Sequence, residues 1–94
     1  MTGGAMERSE KIAQLYRIIA DLQTPEECKL LFDDLCTHKE VEKMAERIFA
    51  AKLLLEGKTY TQVIAEADIS SATLSRVSRC VQYGEGYRKV LKEE

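Results

Sequence analysis

Apolar residues along the first half of the chain recur at helical spacing. Over residues 8–22 they are Ile12, Leu15, Tyr16, Ile19 and Leu22, which share one face of a 3.6-residue helix and predict a first amphipathic helix. Thr24, Pro25 and the acids Glu26 and Glu27 then supply a capping hydroxyl, a pre-set φ and negative charge at a helix start. A second helix is expected there, with Cys28, Leu31, Phe32 and Leu35 inward. Thr37 with Glu40 repeats the capping-box spacing, and Gly57 is a stop, so a third helix lies between them. Its stripe of Val41, Met44, Ala45, Ile48, Ala51, Leu54 and Leu55 is broad, and Phe49 and Leu53 fall outside it. This helix should be the central, most buried one.

After Gly57 the pattern shortens. The segment Thr59-Tyr60-Thr61-Gln62 is another capping-box start, and a short helix to Ala67 gives way at Asp68-Ile69-Ser70 to a helix from Ser71 to about Tyr83. Two short helices with a tight turn suggest a helix-turn-helix, whose touching positions would be Val63, Ala67, Ile69, Leu74 and Val77. No strand alternation is sustained, so the expected fold class is all-α. One domain is expected over residues 8–94. Residues 8–56 would be dimerisation helices, 57–83 the helix-turn-helix and 84–94 a C-terminal helix, behind a flexible leader at residues 1–7.

Composition narrows the function. The 94 residues are 45% apolar and 32% charged, which describes a single globular domain. A chain this short buries only about 60% of the surface its unfolded form exposes and often borrows stability from a partner subunit. The net charge of -2 is wrong for a non-specific nucleic-acid coat, but it is unevenly spread. Residues 1–56 hold eight bases and eleven acids, residues 57–94 six bases and five acids, and residues 69–84 two arginines and no acid. A nucleic-acid role would therefore rest on the second helix of the helix-turn-helix. Small residues Ser71 and Ala72 permit close approach to base edges, and Ser75, Arg76 and Arg79 fall away from Leu74 and Val77. Hydroxyls of Ser70, Thr73 and Ser78 could bond phosphates, with Thr61 and Lys58 nearby on the preceding segment.

Other chemistry is poorly supported. Cys28, Cys36 and Cys80 are odd in number and, with His38, lack the paired knuckle of a zinc site, so buried reduced thiols in a cytoplasmic protein are expected. Asp33 and Asp34 are consecutive, point about 100° apart on a helix, and cannot converge on one bond. With no phosphate-cradling loop or nucleophile elbow, neither enzymatic activity nor a metal is expected, and no apolar run is long enough to cross a membrane.

Residues 57–84, centred on Ala72-Thr73-Leu74-Ser75-Arg76, resemble the Trp repressor superfamily, and within it the YerC/YecD-like branch. Phe32-Asp33-Asp34-Leu35-Cys36-Thr37 and Ala45-Glu46-Arg47 extend the resemblance. It implies an intertwined homodimer that presents two helix-turn-helix units to a pseudo-palindromic duplex, as a transcriptional regulator and repressor. The resemblance also places Thr37, Arg47 and Arg76 at the family's tryptophan pocket. Val77 stands where Trp repressor has a glycine that admits the indole, which argues against tryptophan as a corepressor and leaves no cofactor expected. Asp68 replaces the usual turn glycine, and Ile64 a lysine, so phosphate contacts should be fewer, with Lys58 the nearest compensating charge. Two alternatives stay open: a helical protein-interaction module that keeps the fold without binding DNA, and an amino-acid-responsive repressor with a modified pocket.

Overall fold

In a computed structural model of the chain, residues 6–91 are described, and all their regular structure is helical. Residues 1–5 of the expected leader, and residues 92–94 of the expected C-terminal helix, lie outside the described residues. The helices are α1 (Arg8–Ala20), α2 (Pro25–Leu35), α3 (His38–Leu55), α4 (Tyr60–Ala67), α5 (Ser71–Tyr83) and α6 (Gly86–Val90).

Two units divide the chain at Thr37. In the first, α1 starts with Glu7, whose N–H donates to Glu10 Oε1 at 3.1 Å. It ends at Ala20, two residues before the end of the apolar pattern, because the following backbone is recruited to start α2: the N–H of Gln23 donates to Glu27 Oε1 at 2.8 Å and the N–H of Glu27 to Thr24 Oγ1 at 3.1 Å. Pro25 occupies the first turn of α2, where its missing donor costs nothing. Neither helix buries a residue fully. The expectation that Cys28 and Leu35 point inward is corrected: both are exposed, and only Leu31 and Phe32 are half-buried.

The second unit holds every fully buried side chain of the described residues. Ala50, Ala51 and Leu53 of α3 meet Val63 and Ala67 of α4, Ile69 of the turn, and Leu74, Val77 and Val81 of α5. Tyr87 and Leu91 pack on this cluster from α6 and the residue that follows it. Helix α3 is central to this unit, since α4, α5 and α6 all pack against it. Its burial is confined to the C-terminal half, where three neighbours wrap it, and Leu53, expected outside the stripe, is only 5% exposed. Ala45, Ile48 and Phe49, which precede the buried residues on this helix, are exposed. The expected buried thiols are also corrected: Cys28 and Cys80 are exposed and Cys36 is half-buried.

Candidate nucleic-acid interface

Helix α4 begins at a reciprocal cap. Thr59 Oγ1 accepts from the N–H of Gln62 at 3.2 Å, and Gln62 Oε1 accepts from the N–H of Thr59 at 2.9 Å, so two donors left over at the helix start are satisfied. The helix ends at Asp68, which adopts the left-handed conformation (φ 54, ψ 48) and returns its N–H to the Ile64 carbonyl at 3.1 Å. Aspartate enters this region more readily than most L-residues, so the turn closes without glycine. Ile69 then plugs the core, and Ser70 caps α5: its Oγ accepts from the N–H of Thr73 at 3.2 Å and donates to Thr73 Oγ1 at 3.0 Å. The five positions expected to join the two helices, Val63, Ala67, Ile69, Leu74 and Val77, are all buried together.

Helix α5 therefore turns one face to the core and the other to solvent. Ser71, Ala72, Ser75, Arg76 and Arg79 are exposed, and no acid lies in the first turn. Among the described residues neither Arg76 nor Arg79 enters an ion pair. Ser78 is corrected: it is only 4% exposed, stands one turn beyond Leu74, and its Oγ accepts from Gln82 Nε2 at 3.4 Å, so it is unavailable to a phosphate. Thr61 is exposed, as expected of a contact residue on α4. Lys58 is half-buried and lies 3.8 Å from Glu66 Oε2, which offsets part of the charge expected to compensate for Ile64. Two exposed residues of the same helix carry no sequence-based expectation, Gln82 and Tyr83, the latter 82% exposed.

A cavity of about 570 Å3 opens between α3, α5 and α6. Arg47 and Arg76 line it, with Thr73, Val77, Cys80 and Tyr87. The two arginines paired by sequence resemblance are thus brought to one cavity, whereas Thr37 is the last residue of the other unit. Two guanidinium groups and a phenol suit an anionic group attached to a flat or apolar body. Val77 fills its own place in the wall, with 1% of its surface exposed. Tyr87 was not foreseeable as a neighbour of Arg47 in this cavity, because only the fold of α6 onto α3 brings it there. Among the described residues no group of three histidines, cysteines or acids is placed to hold a metal. No helix of these residues is long and apolar enough to cross a membrane.

The sequence matches the family described as Trp repressor protein over residues 10–94. It is 44% identical over 77 residues to the uncharacterised protein YerC of Bacillus subtilis strain 168, covering 82% of this chain and 74% of that protein. Among solved structures it is similar to one described as a candidate Trp repressor from Staphylococcus aureus, with a TM-score of 0.82 and 36% identity over 92% of each chain. It is also similar to a TrpR-like protein from Eubacterium eligens ATCC 27750, with a TM-score of 0.85 and 34% identity over 90% of this chain and 89% of the other.

Proposed function

This chain belongs to the Trp repressor protein family, and from that premise we propose that it is a sequence-specific DNA-binding transcriptional regulator, a repressor on the family's pattern, acting as a homodimer. The observation that carries the reading is the outer face of α5. Its small N-terminal residues, with Arg76 and Arg79, are held on a helix whose other face is locked into the core. A helix so braced can enter a major groove about 12 Å wide, with Ser71, Ala72 and Ser75 near base edges and an arginine bidentate to guanine. Ser70, Thr73, Thr61 and Lys58 flank that face as candidates for backbone contacts. Dimerisation is supported by α1 and α2, whose apolar residues Tyr16 and Leu30 are 65% and 70% exposed in the single chain.

Selection of bound duplexes from a random DNA pool by the purified protein tests this. Recovered sequences should carry inverted half-sites spaced near one helical turn, and Arg76→Ala should weaken their binding while the protein stays dimeric. A pool that shows no enrichment would overturn the DNA reading in favour of a helical protein-interaction module.

The cavity favours a second reading, that an anionic effector tunes DNA binding through Arg47 and Arg76. Tryptophan is a poor candidate because Val77 is part of the packed wall. A thermal-shift screen of amino acids and related carboxylates should raise the melting temperature for a true effector, and this rise should disappear in Arg47→Ala.

A further inference from the structure

Beyond the contact face of α5, we infer that Arg88 is a positioning residue for that helix, clipping its C-terminal end to α6; the functional part of this inference rests on the DNA-binding reading. The last carbonyls of a helix have no partner within it. In α5 the Cys80 carbonyl accepts from the N–H of Gly84 at 2.8 Å, and the chain then leaves the helix. The Val81 carbonyl, one residue on, receives Arg88 Nε at 2.7 Å across seven residues of sequence. A guanidinium at that place also meets the negative end of the helix dipole.

The surrounding geometry makes the clip a constraint on direction as well as a hydrogen bond. Gly84 has no room for a side chain, since a Cβ there would lie 2.8 Å from the Cys80 carbonyl oxygen. The elbow between α5 and α6 is therefore tight. Tyr87 and Leu91, on either side of Arg88, pack against the buried cluster and fix α6 to the core. Arg88 thus ties a fixed element to the last turn of the helix whose outer face carries Arg76 and Arg79. Without the clip, α5 would keep its apolar anchors at Leu74, Val77 and Val81 but lose the hydrogen bond that sets its last turn against α6. Holding the helix in its bound direction before DNA arrives removes an ordering cost from binding.

A basic residue near a DNA-binding helix invites the simpler explanation that it touches phosphate, and two variants separate the ideas. Arg88→Met keeps the apolar stem and removes the donor; Arg88→Lys keeps the charge but sets its nitrogen beyond the place of Nε. Amide exchange of the DNA-free protein is measured first, then affinity for a duplex recovered from the random pool at several salt concentrations. With the clip, exchange at Gly84, Lys89 and Leu91 speeds up about tenfold in both variants while the Val63 amide in α4 is unchanged. Affinity falls on the order of fivefold in both, with the salt slope of wild type. Unchanged exchange at those amides overturns the inference whether or not the protein binds DNA. Faster exchange with unaltered affinity, or wild-type affinity in Arg88→Lys with a slope reduced by about 0.9 in Arg88→Met, overturns the positioning role. A wild-type protein that retains no duplex rejects the DNA-binding reading, and the positioning role with it, while the exchange result still decides the clip.

Discussion

The helices before Thr37 and those after it are built from similar proportions of apolar residues, yet they use them differently. From α3 onward, nine apolar side chains close around one another and are shielded from water. In α1 and α2 none is fully buried, and Tyr16, Ile18, Leu30 and Leu35 remain exposed. Amphipathic sequence shows that a helix has an apolar face; it does not show whose surface will cover it. One unit finds its cover within the chain, and the other keeps an apolar surface of the kind that a second subunit buries.

The difference can be broken first at its strongest point. Leu74→Ala empties a site with no solvent exposure in the second unit and should cost about 4 kcal/mol, read as a lower midpoint in denaturant unfolding. Next, Leu30→Glu on α2 places a charge on the exposed apolar face and should weaken dimerisation by roughly 3 kcal/mol, about a hundredfold, in sedimentation equilibrium. If the two units are as different as their burial, this variant leaves the circular dichroism of the helices after Thr37 largely intact. Thr59→Ala removes the cap of α4 and should cost about 1 kcal/mol, seen as a small drop in melting temperature. Smallest of all, Lys29→Ala deletes an exposed ion pair with Asp33 and should change stability by less than about 0.5 kcal/mol.

Sequence carried the local signals well. The caps at Thr24 and Thr59 are where hydroxyl chemistry puts them, and the five residues joining α4 to α5 follow from spacing alone. Ser78 was misread: it lies four residues from Leu74 on the same face, but its hydroxyl suggests solvent. Leu53 was not, because a single stripe assumes one packing neighbour and the end of α3 has three. The exposure of Leu35 and Cys28 was not legible either, because helical periodicity marks an apolar face without showing what covers it. At the site, the outer face of α5 could be read from the chain, while the meeting of Arg47 with Tyr87, and of Arg88 with the Val81 carbonyl, arises only from the path of α6.

If α5 binds DNA as proposed, its outer arginines carry the charge that meets the duplex. Fluorescence anisotropy of a selected duplex, titrated with wild type and Arg79→Ala at stepped salt concentrations, tests it most directly. The logarithm of the affinity should fall linearly with the logarithm of salt, and Arg79→Ala should lose about 1–3 kcal/mol of binding without a change in oligomeric state. Affinity that is indifferent to salt, or unchanged in Arg79→Ala, would contradict it.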